Sequence, residues 1–520
     1  MERGSVTLKK MFSRALCSLM TMVMVFCFTP LVSQAADGGQ WNAFRGNYQN
    51  NGVIDVRTAR TSDEASLKWE LALKDSSDWA TNLSDPIRVN GKIYIAAGSE
   101  LLTVNSLGEI ENRGQLDGAI GFLCRLMEAE GKVVVPLEDG RLQCMDAGSL
   151  QALWTTEPVV TEGEDGQSQD HQALTTLTYQ DGLLYAGTAY ADYSSSYSGV
   201  YQCVEISTGR IVWQYENTQA GYYWSGAVSV NNVVVFAGDD GIVTSLDAKT
   251  GETVDEMDIG DGVRSTMVLE GKDVYCSSRN GKLHKVTVGD DGTLGQHQEV
   301  LFANSSTSTP AVYHGKVYVG GAMGKEQQYA GVLAIVDAAT MRIEQTVTAP
   351  ADVKSAPLVT KAYDGETYVY YTANTTPGGL YVLKAGADQA ESLFVPTGDG
   401  QNYCMTSVMA DEEGTLYYTN DSGRLFAVAS NVPEEGGDDT SGSSSESQEP
   451  SQSQPPQESE SSSSGAQSNS PEDSSAVTSS PSSSENNPPT GESDAAFLVM
   501  GLSIASLGLV WFARRRRHEA

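Results

Sequence analysis

Residues 231–252, NNVVVFAGDDGIVTSLDAKTGE, decide the fold of this chain. Two Asn residues form a turn, and the β-branched and aromatic run Val233-Val234-Val235-Phe236 follows. A Gly-Asp-Asp-Gly loop then leads into a second apolar run that ends in an Asp-x-x-Thr-Gly turn. Short runs of this composition between Gly-rich turns predict β-strands, and a unit this small must repeat to build a core.

The unit recurs along the chain at intervals of about 40–50 residues, which is the period of a four-stranded propeller blade. A parallel β-helix needs a shorter period, and the i, i+3, i+4 pattern of helical repeats is absent. We therefore predict an all-β, eight-bladed β-propeller, with seven blades as the alternative if one weak unit is not a blade. Its β-rich runs begin at Lys92, Lys132, Leu183, Val233, Asp273, Lys316, Thr367 and Thr415.

The two ends of the repeat region predict how the ring closes. The last unit stops near Ala429, one strand short of a blade, while residues 67–71, LKWEL, form a spare strand before the first unit. Pairing this N-terminal strand with the last blade would remove both open sheet edges.

Three segments carry a family resemblance. Residues 41–52, WNAFRGNYQNNG, look like the opening of PQQ-like (pyrrolo-quinoline quinone) repeat propellers. Residues 205–213 and 247–252 resemble the turn and outer strand of that repeat, D-x-x-T-G-x-x-x-W. The resemblance covers residues 41–429 and implies that Trp154 and Trp213 dock one blade onto the next.

The resemblance also bears on chemistry. Enzymes of this family hold the quinone beneath two adjacent, disulfide-bonded Cys residues, with calcium on acidic side chains, and this sequence has no Cys-Cys pair. No nucleophile elbow or metal-ligand spacing occurs around His171, His284, His297 or His314. We expect the non-catalytic type, with neither PQQ nor calcium and no metal site. An extracellular enzyme that uses the same face, quinoprotein-like or glycan-active, is the alternative.

The N-terminus has the three parts of a secretory signal. A basic start precedes an apolar run to Val32, and small residues lie at Ala35 and Ala36. We predict a signal peptide over residues 1–36 and a propeller over residues 37–432; an uncleaved membrane anchor is the alternative to the signal peptide.

The five cysteines beyond the signal form no disulfide framework or zinc pattern and are expected to be buried core residues.

The C-terminus combines a stalk and an anchor. Residues 433–490 are rich in Ser, Pro, Glu and Gln and predict a disordered stalk. Residues 495–513 are apolar and long enough for a transmembrane helix, and the four arginines that follow predict a cytoplasmic tail.

Residues 487–520, which include this apolar segment and the arginines, resemble the sorting signal of sortase substrates. Pro488, Thr490 and Gly491 match the processing motif, although Asn487 stands where the family has Leu. The resemblance implies cleavage after Thr490 and attachment to peptidoglycan of a Gram-positive bacterium. The extracellular propeller would otherwise be held by the cell membrane.

The charge balance limits the partners. The chain has 33 basic and 67 acidic residues, a net charge of −34, and so repels phosphate backbones. We expect no nucleic-acid partner.

The strand order predicts a ligand face. The segments before the first strand of each blade share one face with the loops between the second and third strands, and three of those loops, at 189–199, 321–331 and 374–379, are long. Aromatic and polar side chains there suit a glycan or an extended protein segment. For any one ring, packing into the channel end is the alternative. The candidate residues are Trp79, Phe122, His171, Tyr222, Tyr223, Trp224, Arg264, Lys354 and Tyr403.

Overall fold

The computed structural model describes residues 40–74, 82–163, 166–173, 175–191, 196–324 and 330–432. Trp79 and the residues of the predicted signal peptide, stalk, transmembrane segment and processing motif (Pro488, Thr490 and Gly491) lie outside the described residues. No helix among the described residues is long and apolar enough to cross a membrane. The three helical elements in this part of the chain are short 3-10 turns at Phe44–Gly46, Ser62–Glu64 and Gly398–Gly400.

The described residues are otherwise built of strands. The strands of the N-terminal half are, in chain order, β1 (Val53–Ile54), β2 (Ala65–Ala72), β3 (Ile87–Val89), β4 (Lys92–Ala97), β5 (Glu100–Val104), β6 (Ile110–Gln115), β7 (Met127–Ala129), β8 (Lys132–Pro136), β9 (Leu142–Asp146), β10 (Ala152–Thr155), β11 (Val160–Glu162), β12 (Ser168–Asp170), β13 (Thr178–Gln180), β14 (Leu183–Gly187), β15 (Tyr190–Ala191), β16 (Ser196–Glu205) and β17 (Ile211–Asn217). Those of the C-terminal half are β18 (Val228–Val230), β19 (Val233–Ala237), β20 (Ile242–Asp247), β21 (Thr253–Asp258), β22 (Val268–Glu270), β23 (Asp273–Ser277), β24 (Lys282–Val288), β25 (Leu294–Leu301), β26 (Ala311–Tyr313), β27 (Lys316–Ala322), β28 (Gly331–Asp337), β29 (Arg342–Ala349), β30 (Leu358–Tyr363), β31 (Glu366–Thr372), β32 (Leu380–Lys384), β33 (Glu391–Phe394), β34 (Met409–Ala410), β35 (Leu416–Asn420) and β36 (Arg424–Ser430).

These strands form an eight-bladed β-propeller, as predicted. In blades 1 to 7, four antiparallel strands, called a to d from the inside outward, follow one another along the chain, whereas strand d of blade 8 is the N-terminal β2. The inner strands contact those of the neighbouring blades. The sheets of blades 1 to 8 are β3–β6, β7–β10, β13-β14-β16-β17, β18–β21, β22–β25, β26–β29, β30–β33 and β34-β35-β36-β2. The short strand β1 pairs in parallel with β30 at the inner edge of blade 7.

Blade 8 closes the ring with the N-terminal strand. Strand β2 pairs antiparallel with β36, so that Leu67 lies opposite Val428 and Leu71 lies opposite Leu425. The spare strand expected around residues 67–71 therefore completes the last blade, and the prediction of closure is confirmed.

Burial explains why the strands do not all alternate in sequence. Every residue of β19 is buried, because both faces of an inner strand are covered by neighbouring blades. The outer strand β21 instead alternates between exposed and half-buried residues. The apolar clusters accordingly lie between blades, as between blades 4 and 5, where Val235 and Val274 belong to one cluster.

Tryptophan side chains dock neighbouring blades as the resemblance implied. The Trp154 Nε1 donates to the carbonyl of Ile206 at 2.9 Å, and Trp213 Nε1 donates to Ala248 at 3.0 Å. Each indole covers a glycine of the next blade, and a Cβ atom at Gly209 would lie 2.6 Å from the Trp154 ring. Trp69 of β2 makes the same contact across the closure, donating to Ser106 at 3.0 Å.

The five described cysteines are all free and buried, which confirms their predicted core role. Burial raises the pKa of Cys276 and of Cys404 to about 12, so both are thiols at neutral pH.

Candidate functional site

The strand directions give the propeller two different faces. Strand a of each blade starts at one face and strand b returns to it, so the segments before strand a and the b–c connections meet there. We call this the loop face. The a–b and c–d turns form the opposite face.

The central channel is filled by the N-terminal segment of the chain, residues 41–56, which we call the plug. Asn50 Nδ2 donates to the carbonyls of Ala227 and Met267 at 2.9 and 3.0 Å. Asn51 pairs through its amide with both the N–H and the carbonyl of Val312. These contacts lie on the inner strands of blades 4 to 6, so the plug holds the blades together from inside.

Two side chains of the plug, Phe44 and Arg45, meet Arg125 of blade 2 at the axis. The Arg45 guanidinium is buried and donates to the carbonyls of Ala356, at 2.9 Å, and Pro357. The Arg125 guanidinium lies 3.8 Å from the centre of the Phe44 ring and donates to Thr176 at 2.8 Å. The space left among them is a cavity of about 10 Å³, room for about one water molecule.

Aromatic side chains cover the channel at the loop face. Phe122 of blade 2 and Trp224 of blade 4 have ring centres 6.2 Å apart, a contact that crosses blade 3 on its axial side. Tyr223 packs on Trp224 at 4.9 Å, and the Arg264 guanidinium lies 4.5 Å from the centre of the Tyr223 ring. Arg264 also forms a buried ion pair with Asp239 at 2.7 Å.

The structure corrects the interpretation of two predicted ligand residues. Tyr222 is 1 % exposed and packs edge-on against Tyr201 and Phe236, so its ring belongs to the core between blades 3 and 4. Trp224 is 5 % exposed and acts mainly as part of the channel cover. Irregular backbone explains the difference, because a φ of 59° at Trp224 breaks the strand-like alternation of neighbouring side chains.

His171 is buried too, between two hairpins that rise from the loop face. Its Nε2 lies 2.9 Å from Thr161 Oγ1 on β11, and its Nδ1 lies 2.9 Å from Thr188 Oγ1, just before β15. Ser198 Oγ on β16 donates to Gln169 Oε1 on β12 at 2.6 Å. We call the β11–β12 and β15–β16 hairpins together the hairpin wall.

His171 therefore supports this wall and does not face solvent, which corrects its role as a direct ligand contact. Burial lowers the pKa of His171 to about 4, so its ring is neutral at neutral pH.

The remaining predicted residues lie at the surface of the loop face. Tyr403 is 41 % exposed, Phe122 and Tyr223 are half-buried, and the Lys354 amine lies 3.9 Å from the Asp352 carboxylate. Sequence reasoning missed Tyr197, which is 46 % exposed on the hairpin wall with its ring 5.9 Å from Tyr190. Its signal was its place in the long b–c loop of blade 3.

The structure also brings together three potential metal ligands that spacing along the chain did not reveal. His284 on β24 and both His297 and Glu299 on β25 converge, with ligand atoms all within 4.8 Å of one another. Among the described residues, no other group of His, Cys, Asp and Glu converges in this way. The signal was His-x-Glu on one strand with a His on the paired strand, since alternate residues of a strand share a face.

Comparison with known proteins finds one family model that matches part of the propeller. Residues 196–431 match the family model described as outer membrane protein assembly factor BamB. No curated protein matches the chain.

Solved structures match over most of the chain. Quinohemoprotein alcohol dehydrogenase ADHIIG from Pseudomonas putida HK5 is 12% identical, with a TM-score of 0.59 over 77% of this chain and 81% of that one. The quinohemoprotein alcohol dehydrogenase of Comamonas testosteroni is also 12% identical, with a TM-score of 0.59 over 78% and 83%. BamB from Moraxella catarrhalis is 15% identical, with a TM-score of 0.51 over 70% and 99%.

At these identities the solved structures establish the fold alone. The match of residues 196–431 to the family model, together with the repeat motifs and the docking tryptophans, supports similarity to the PQQ-like repeat β-propellers.

Proposed function

We propose that this chain is a cell-surface binding or scaffold propeller that holds an extracellular protein or glycan on its loop face and catalyses no reaction. The hairpin wall is the observation that carries this proposal. In blades 1, 2, 4, 5 and 8 the b–c connections have two to five residues. Blade 3 instead has a hairpin there, joined through His171 to a second hairpin before the blade. The paired strands of these two hairpins give one side of the loop face a feature that the other blades with short b–c connections lack.

Exposed aromatic side chains on this face support a binding role. Tyr197 and Tyr403 are more than two-fifths exposed, and half-buried Tyr223 packs on Trp224 of the channel cover. Tyrosine rings stack on sugars and on apolar side chains, and their hydroxyls form directional hydrogen bonds. The family model is that of an assembly factor, which also favours a partner-binding role.

The filled channel supports a propeller without PQQ or calcium. Phe44, Arg45 and Arg125 occupy the axis, and the 10 Å³ cavity beside them is far below the roughly 300–1,000 Å³ of a ligand pocket. Arg45 donates to backbone carbonyls and so stabilises the plug. The residues of this channel do not fit a quinone, and we derive no catalytic step through one.

Attachment at the cell surface rests on the sequence of residues 487–520. In cells that process the signal, muramidase should release the protein with Thr490 at its C-terminus, and Thr490→Ala should leave it in the membrane. Recovery of the four C-terminal arginines in the membrane fraction of wild-type cells would contradict wall attachment.

Binding is tested with the purified chain on a glycan array and by cross-linking of neighbouring proteins on intact cells. Tyr197→Ser and Tyr403→Ser should weaken binding about 5- to 100-fold, because an anchoring ring contributes on the order of 1–3 kcal/mol. Their Tm should stay near that of the wild type, since neither ring is core.

Leu107→Ser is the matched control. Leu107 is 69 % exposed in the c–d turn of blade 1, on the opposite face, so its loss should leave binding unchanged. If both tyrosine variants bind as tightly as the wild type, the loop face is not the binding site. Glycan binding without cross-linked partners, or the reverse, distinguishes the two ligand classes.

A further inference from the structure

Two histidines and a glutamate form a compact cluster on the side of blade 5, away from the channel. His284 on β24 lies opposite Glu299 on β25, and His297 is two residues before Glu299. His284 Nδ1 lies 3.0 Å from His297 Nε2 and 3.7 Å from Glu299 Oε2. The two imidazoles stack with ring centres 5.3 Å apart.

From this arrangement we propose that His284, His297 and Glu299 form a site for a first-row divalent transition metal, of which Zn²⁺ is the probe. Imidazole nitrogens and a carboxylate oxygen are ligands that such ions prefer. A tetrahedral ion bonded at about 2.0–2.1 Å separates its ligand atoms by about 3.3 Å. The distances of 3.0 and 3.7 Å bracket that value, so small side-chain rotations bring the three atoms into place.

Neighbouring groups orient the buried ligand. His284 is fully buried, and its Nε2 lies 3.0 Å from the hydroxyl of Ser278. When Nε2 donates its proton to Ser278, Nδ1 keeps a lone pair directed at the other two ligands. Hydrogen bonding to the far nitrogen of a ligand histidine is the usual way in which proteins fix its tautomer.

The outer side of the cluster is open to ions. His297 is half-buried and Glu299 is exposed, so solvent reaches the site without unfolding of the blade. With three protein ligands, the ion keeps a fourth position for water or another donor.

A lysine shares the carboxylate of this site. Lys282 Nζ lies 2.9 Å from Glu299 Oε1 and 2.9 Å from Asp261 Oδ2, while Glu299 Oε2 points toward His284. The two oxygens of Glu299 thus serve different partners. The lysine charge opposes a bound cation, so its removal should tighten metal binding.

The test measures Zn²⁺ bound by the full chain, by calorimetry and by metal analysis after dialysis, with Co²⁺ absorption as a report of ligand geometry. The wild type should bind one ion, and Zn²⁺ should raise its Tm. Glu299→Gln and His297→Gln should each weaken binding at least about tenfold, and Lys282→Gln should strengthen it. His314→Gln, at an exposed histidine outside the cluster, should bind as the wild type does.

His297 and Glu299 lie on an outer strand, so we expect their variants to fold. Circular dichroism and the Tm of the metal-free proteins show whether they do. Failure of the folded wild type to bind an ion would overturn the proposal. So would wild-type affinity in a folded double variant of His297 and Glu299. Loss of Zn²⁺ binding in His314→Gln would show that the ion binds outside the cluster of His284, His297 and Glu299.

Discussion

Adjacent residues on the loop face have different surroundings. Tyr222 packs into the core between blades 3 and 4, Tyr223 lies half-buried under Arg264, and Trp224 covers the channel. In a strand, three neighbouring rings cannot all point inward, but in an irregular segment the sequence does not say which ring is buried. The period of two that orders side chains in a strand does not apply there.

His171 makes the stability of the hairpin wall depend on pH. The folded protein holds its pKa near 4, below the ordinary value of 6.5, because the ring is buried. As pH falls from 6.5 to 4, the unfolded chain takes up a proton that the folded chain does not, so stability is lost over that range.

His171→Gln should therefore cost most at pH 7, and its cost should shrink by up to about 3 kcal/mol at pH 4. The measurement is the free energy of unfolding of both proteins across this range. A difference between the two proteins that stays constant with pH would show that His171 does not carry this dependence.

At the scale of elements, the docking turn links one blade to the next. Gly209 has a φ of 74° and lies under the Trp154 ring, whereas Gly315 has a φ of 70° with open space around its Cα. Alanine at either position meets similar backbone strain, so the two substitutions differ in the contact with tryptophan.

Gly209→Ala should destabilise the propeller by about 1–3 kcal/mol more than Gly315→Ala does, because the added methyl group displaces the indole. Denaturant unfolding of both variants measures the difference. Equal losses would mean that the Trp154 contact contributes little.

The sequence predicted the strands and blades better than it predicted the surroundings of single residues. The blades and the closing strand followed from period and composition, which are local signals, and the docking roles of Trp154 and Trp213 followed from the family resemblance. Residues separated along the chain were not predictable in this way. Arg45 reaches Ala356 across 311 positions, and the metal-ligand cluster needs the register of β24 with β25. The spacing of residues along one strand does not show which residues of the paired strand lie opposite them.

At the scale of the whole molecule, ring closure depends on β2. Seven of its eight residues pair with β36, and Trp69 docks the closed blade onto blade 1. Without β2, blade 8 has an unpaired edge and its outer side is uncovered.

Deletion of residues 65–72 should strongly lower the Tm of the propeller or cause aggregation. Thermal melting and light scattering measure these effects, with a chain that begins at Gln40 and keeps β2 as the control. A deleted chain that melts like this control would show that the ring closes in another way.

The same closure bears on the order in which the chain can fold. Glu70 on β2 and Arg424 on β36 are 354 positions apart, so β2 leaves the ribosome long before its partner is made. Blades 1 to 7 can assemble one after another. Blade 8 forms only after β36 has been synthesised, and until then the backbone groups of β2 have no partner strand. Pairings this distant in sequence also make folding slow. Translation therefore leaves a long interval in which β2 has no partner, and a chaperone that shields this strand should raise the yield of the native ring.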